Sequence, residues 1–174
     1  VLTATISVML PRLSQYYKDG NKEQFSYLVN STCGLLWTLV LPCTVGVFSM
    51  ADVIIPTLFG KEFINAVGVL RILCILIIPI PFSTFFGTQV LCAVNKEKQM
   101  LIAVVSGAVV NLILNAILIP RFMQEGAAFA SVICEVTVVL IEIVFWKKKH
   151  PLKLTGNKCI TPIVASLVMY SVIY

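Results

Sequence analysis

Residues 99–120 read QMLIAVVSGAVVNLILNAILIP, an unbroken run without one Asp, Glu, Lys or Arg. A helix of that length spans the roughly 30 Å hydrocarbon core of a bilayer, which takes about 20 residues. Two other charge-free runs, Gln24–Ala51 and Ile72–Asn95, precede it and are at least as long. Gly126–Trp146 is a further run of similar length, interrupted only by Glu135 and Glu142. Apolar residues at the start of the chain and the stretch Cys159–Tyr174 at its end read as two further, partial runs. The spans are therefore expected at about 1–10 (partial), 28–51, 72–94, 100–119, 127–146 and 159–174 (partial).

Composition agrees. Of 174 residues, 59% are hydrophobic and 12% charged, with a mean hydropathy of +0.97. An ordinary soluble domain carries about 25% charged residues, and a chain this short cannot hide so much apolar surface from water. Disorder, which requires low hydrophobicity, is excluded as well. Strand-like alternation is absent, and in lipid only helices and closed barrels satisfy their own backbone. The fold class is all-α, a polytopic transmembrane helix bundle forming one membrane domain over 1–174. The chain begins at Val1 inside one apolar run and stops at Tyr174 inside another, so it reads as a piece of a longer protein.

Alternating sides test this assignment. Loops 11–27, 95–99 and 147–158 fall on one side and hold ten of the thirteen basic residues. The other two loops hold Lys61, Arg71 and Arg121. The positive-inside rule makes the basic loops cytoplasmic. The net charge of +5 thus concerns topology and anionic lipid headgroups. Nucleic acid is excluded as the partner of Lys147–Lys149, because that run abuts Trp146 at a helix end, the pattern of a membrane edge.

Within the spans, Pro42, Pro79 and Pro81 each remove a backbone donor, freeing the carbonyls of Thr38, Ile75 and Ile77. They are hinge candidates, against the alternative that neighbouring helices repair the bonds. Ala103, Gly107, Asn111 and Asn115 recur every four residues and share one stripe. Such a stripe builds a tight helix seam, and if it borders a cavity the two asparagines also meet substrate. Glu135 falls near the midpoint of its run, where a charge costs ~2.5–3.5 kcal/mol. It is a coupling candidate or a hydrogen-bonded structural acid. Glu142, seven residues on, is expected near the interface with access to water. Arg71 is expected to open its helix from the outer side and Asp52 to close the preceding one there; both read as interfacial anchors, with an anionic headgroup or each other as candidate partners. The aromatic-rich stretch Pro11–Tyr27 suits helices lying in the interface.

Sites for soluble-style chemistry are missing. Six cysteines form no CxxC pair, the one histidine is His150, and there is no phosphate loop or GxSxG elbow. No cofactor, metal or enzymatic activity is expected.

An ordered set of segments resembles a known family: Pro11-Arg12-Leu13-Ser14 with Tyr17-Lys18-Asp19-Gly20-Asn21, Leu58-Phe59-Gly60-Lys61-Glu62-Phe63, Leu70-Arg71-Ile72-Leu73, Asn111-Leu112-Ile113-Leu114-Asn115, Ile119-Pro120-Arg121-Phe122, and Glu125-Gly126-Ala127-Ala128 leading to Glu135. Together they look like the C-terminal half of polysaccharide flippases of the multidrug/oligosaccharidyl-lipid/polysaccharide exporter superfamily. The resemblance implies a MATE-like bundle in the bacterial plasma membrane. It implies a carrier that flips undecaprenyl-diphosphate-linked oligosaccharide by alternating access, with polysaccharide polymerases or glycosyltransferases as partners. Arg71 alone approaches the cationic role that the diphosphate calls for. A cation-coupled multidrug exporter of the same fold and a non-transporting membrane assembly partner are the alternatives.

Overall fold

The computed structural model describes residues 9–147. The outermost expectations, for 1–8 and 148–174, lie outside the described residues, as does most of the basic loop 147–158. The first helix, α1, spans Met9–Lys18 and ends in a Schellman turn. Gly20 takes a left-handed φ of +70° there, its N–H donates to the Tyr17 carbonyl, and the Asn21 N–H donates to the Tyr16 carbonyl. Asn21 then caps the second helix, accepting from the Gln24 N–H at 3.2 Å.

That helix, α2, runs over Lys22–Leu58, 37 residues or roughly 55 Å. It begins before the uncharged run and ends after it. Absence of charge marks the lipid-immersed part, whereas helical hydrogen bonding continues into the flanks. Phe25 and Tyr27 consequently belong to this long helix rather than to a separate interfacial segment. Pro42 and Pro56 lie inside it, and the helix continues through both. Thr32, Thr38 and Thr44 each return their hydroxyl to the carbonyl four residues back, at 2.9 Å, which satisfies the polar atom without a partner helix.

After Gly60, with φ +96°, and a single 3-10 turn at Lys61–Phe63, the chain crosses back by an irregular path. Helix α3 covers Ala66–Leu73, a 3-10 turn covers Cys74–Ile77, α4 covers Pro79–Ser83, and a π-helical stretch covers Thr84–Leu91. Arg71 sits in the last turn of α3 rather than at the opening of the helix. A second Schellman turn closes the path, with Asn95 at φ +57° in the left-handed position.

Helix α5 spans Glu97–Lys147 and contains one non-helical residue, Met123, at φ +48° and ψ −123°. The chain reverses there. A Cβ on Gly126 would stand 2.5 Å from the Leu118 carbonyl oxygen, and one on Gly107 would overlap the Val138 side chain. Residues that a straight helix would hold apart are in contact, so 97–122 and 124–147 are two antiparallel arms of a hairpin. Their seam uses Ala103 and Gly107 of the small-residue stripe, both buried.

The main core lies at the α1 end. Leu13, Phe25, Val29, Leu36, Phe82, Phe85, Phe86, Val90 and Trp146 pack together, and the Phe25 and Trp146 rings stack at 5.4 Å. A smaller cluster of Ala51, Ile55 and Val67 closes the Gly60 end. All the regular structure among the described residues is helical, and three stretches, Lys22–Leu58, Ala66–Leu91 and Glu97–Lys147, are long and apolar enough to cross a membrane. The protein is a multi-pass membrane helix bundle.

The hairpin seam is testable. Gly107→Ala overpacks Val138 and is expected to lower stability by ~1–3 kcal/mol. Thermal unfolding of the full-length protein in detergent measures it, and Gly107→Ala combined with Val138→Ala should recover part of the loss.

Candidate functional site

The two arms of α5 are not sealed along their whole length. Between them and the end of α4 lies a cavity of about 520 Å³. Its polar lining is Ser83, Asn111, Cys134 and Glu135, and Val104, Leu112 and Val138 supply apolar wall. Helical spacing explains the meeting. Asn111 and Ala108 continue the seam of the first arm beyond Gly107. Cys134 and Glu135 stand opposite them on the second arm, and Ser83 enters from the irregular path at the residue where α4 gives way to the π-helical stretch.

Three of the residue types suit polar ligands: a carboxyl, an amide and a hydroxyl on otherwise apolar walls. Glu135 is half-buried, neither sealed off nor in open contact with solvent. Asn115 is one turn along from Asn111 and donates its amide to the Asn111 Oδ1 at 2.8 Å. That bond aligns Asn111 while leaving the Asn115 Oδ1 without a partner among the described residues. The cluster can accept from sugar hydroxyls or hold one small cation or proton. No group of three His, Cys, Asp or Glu able to hold a metal occurs among the described residues.

Arg71 does not line this cavity. Its guanidinium pairs with the Asp52 carboxylate and lies 5.5 Å from the centre of the Phe48 ring. Of the two expectations for Arg71 and Asp52, a headgroup or each other, the structure has them paired with each other. The charge is thus already matched by α2. The hinge candidates separate in the same way. Pro42 lies within an unbroken helix, whereas Pro79 and Pro81 lie where the regular α-helix is interrupted. Pro79 also borders a second, largely apolar groove of about 480 Å³ beside Cys33, Trp37, Phe82 and Ile143, with Lys147 at its end.

Glu142 departs from expectation. It is 1% exposed, with no access to water. The seven-residue spacing puts it on the face of Glu135, and that face turns fully into the bundle at Val138, Glu142 and Trp146. Sequence reasoning missed Ser83 and Cys134 as lining residues. Ser83 carried a signal, being a small hydroxyl two residues after Pro81 in an interrupted helix, while Cys134 carried none.

The chain matches the family model of the lipid II flippase MurJ over residues 1–174. It is 23% identical over 171 residues to the lipid II flippase MurJ of Bacillus subtilis, covering 96% of this chain and 31% of that protein. It is 28% identical to a probable low-salt glycan biosynthesis flippase, Agl15, of Haloferax volcanii, covering 98% and 36%. An uncharacterized membrane protein of Methanocaldococcus jannaschii is 26% identical, over 92% and 32%. The chain thus spans about a third of the length of these relatives. No solved structure matches it.

The Arg71–Asp52 pair is partly exposed, so its contribution is small. Asp52→Asn is expected to lower stability by ~0.2–1 kcal/mol, as read by detergent unfolding. A loss of several kcal/mol would show that the pair clamps α2 to α3.

Proposed function

Because the chain belongs to the lipid II flippase MurJ family, we propose that it forms part of a carrier moving a lipid-linked saccharide precursor across the plasma membrane by alternating access. The observation that carries this reading is the match over the entire chain to that family. The glycan biosynthesis flippase among the relatives supports the same substrate class, and the relatives come from both bacteria and archaea. Flipping needs no bond to be made or broken. It needs a path through the bilayer in which sugar hydroxyls exchange water for protein hydrogen bonds, and a helix that can bend so that the path opens on one side at a time.

The residues divide between those tasks. In this reading Glu135, Asn111 and Asn115 supply mid-membrane polar contact or ion coupling, and the break around Pro79 and Pro81 supplies the bend. Arg71 is paired with Asp52 of α2 at the outer end, away from the cavity. The basic loops 11–27, 95–99 and 147–158 are cytoplasmic, on the strength of the uneven lysine and arginine count. The two arms of α5 then cross the membrane separately, with Met123 outside. The enzymes that assemble the lipid-linked saccharide work on one face and those that consume it work on the other.

Three outcomes test this. Depleting the full-length protein should accumulate the lipid-linked precursor in the membrane while the surface polymer falls, and normal levels of both would remove the reading. Glu135→Gln should leave the protein folded and inserted but slow flux by about 10-fold or more if the acid couples transport, and wild-type flux would return it to a structural role. A single cysteine replacing Lys61 should react with an impermeant reagent from outside, and one replacing Lys98 only from inside. The opposite pattern would invert the orientation.

A further inference from the structure

Glu142 is the buried group that the transport reading leaves unused. It is 1% exposed, and its Oε2 has no hydrogen-bond partner among the described residues. The other carboxyl oxygen, Oε1, fills the space over Gly87, where an added Cβ would overlap it. The same Cβ would stand 3.4 Å from Cγ of Met100, so first arm, second arm and irregular helix converge on this one notch.

Gly87 lies inside the π-helical stretch Thr84–Leu91. Such a stretch is rare and occurs mostly as a single turn inserted in α-helices, frequently at functional sites. Ser83, immediately before the stretch, lies near the Glu142 carboxyl and lines the cavity of Glu135 and Asn111. One carboxyl therefore fills the space over the π turn and lies beside the residue through which that turn reaches the cavity.

We propose that Glu142 is a positioning residue for transport: wedged over Gly87 and against Ser83, it holds the π turn and so fixes the wall that Ser83 contributes to the Glu135–Asn111 cavity. This rests on the transport reading above. Length and shape carry the role, not charge, so an amide of the same shape performs it. Nothing larger than glycine fits at position 87 while the glutamate side chain occupies the notch.

The test uses the full-length protein in liposomes containing its lipid-linked precursor, with Cys134 as the only cysteine. Two quantities are read: flux, and the rate at which a methanethiosulfonate reagent modifies Cys134, which lines the cavity. Glu142→Ala and Gly87→Ala should each cut flux by about 10-fold or more, as expected when a wall shifts by about 1 Å, and should change the Cys134 rate. Glu142→Gln should match the parent on both readouts. Gly87→Ala combined with Glu142→Asp, whose shorter side chain clears the added methyl, should recover flux lost in Gly87→Ala alone.

Parent-like flux and Cys134 rate in Glu142→Ala would overturn the proposal. So would a Glu142→Gln protein that folds, inserts and fails to transport, because charge would then be required. If Glu142→Ala does not fold, the glycine pair decides, and absence of recovery in the double variant overturns it. A parent protein without flux would instead sink the transport reading, and the Cys134 rates would still show whether Glu142 sets the cavity wall.

Discussion

Lipid offers no hydrogen bonds, and the irregular path from Ala66 to Leu91 is organised around that constraint. A helix interrupted by two prolines, a 3-10 turn and a π-helical stretch leaves carbonyls whose usual donors are missing or displaced. Such a backbone persists at membrane depth only where protein covers it. Here α1 and α2 pack on one side and both arms of α5 on the other, burying Pro79, Phe82, Phe85, Phe86, Gly87 and Val90. The aromatic core at the α1 end is the wrapping of that path. Phe82 meets Trp37 of α2 at 4.9 Å between ring centres, and Phe25 stacks on Trp146 where α2 reaches the second arm.

The second arm carries three carboxyls, and two of them are seated on glycines of the irregular path. A Cβ on Gly68 would come within 2.7 Å of the Glu125 Oε1, and one on Gly87 would overlap that of Glu142. Between them Glu135 faces the cavity. A carboxyl approaches a backbone this closely only where no side chain intervenes, so Gly87 gives the buried Glu142 its place in an apolar bundle, while Glu125 meets Gly68 at the exposed end of the arm. The first arm contributes its small residues to the hairpin seam and presents Leu101, Val105 and Ile117 on its exposed side.

Much of this was legible in the sequence because charge and hydropathy act over whole helices. The uncharged runs Gln24–Ala51 and 99–120 fall inside the helices Lys22–Leu58 and Glu97–Lys147. The stripe of Ala103 and Gly107 foretold the seam, since four-residue spacing fixes a helix face whatever lies opposite. Helix ends were less legible. Capping by Asn21 and the left-handed Asn95 set the ends at one surface, and both act through a few atoms, whereas Asn30, Asn111 and Asn115 lie inside helices. The fate of Glu142 was not legible at all. Distance from the end of a run suggested the interface, but burial depended on Gly87, far earlier in the chain, in a stretch whose π-helical winding has no sequence signature. Arg71 shows the same limit, because a cation on a membrane helix looks identical whether its counter-charge is a substrate or an aspartate on the neighbouring helix.

The tight reversal at Met123 also bears on how the chain enters the membrane. With Gly126 against the Leu118 carbonyl, the arms share a turn too short to let one settle far from the other. The second arm bears Glu135 and Glu142 within its apolar run and is the poorer candidate for partitioning alone, whereas 99–120 has no charge to oppose it. Emerging first from the ribosome, the uncharged arm supplies a ready protein surface for its successor. In the folded chain the acidic arm accordingly lies against the first arm and the irregular path rather than against bare lipid.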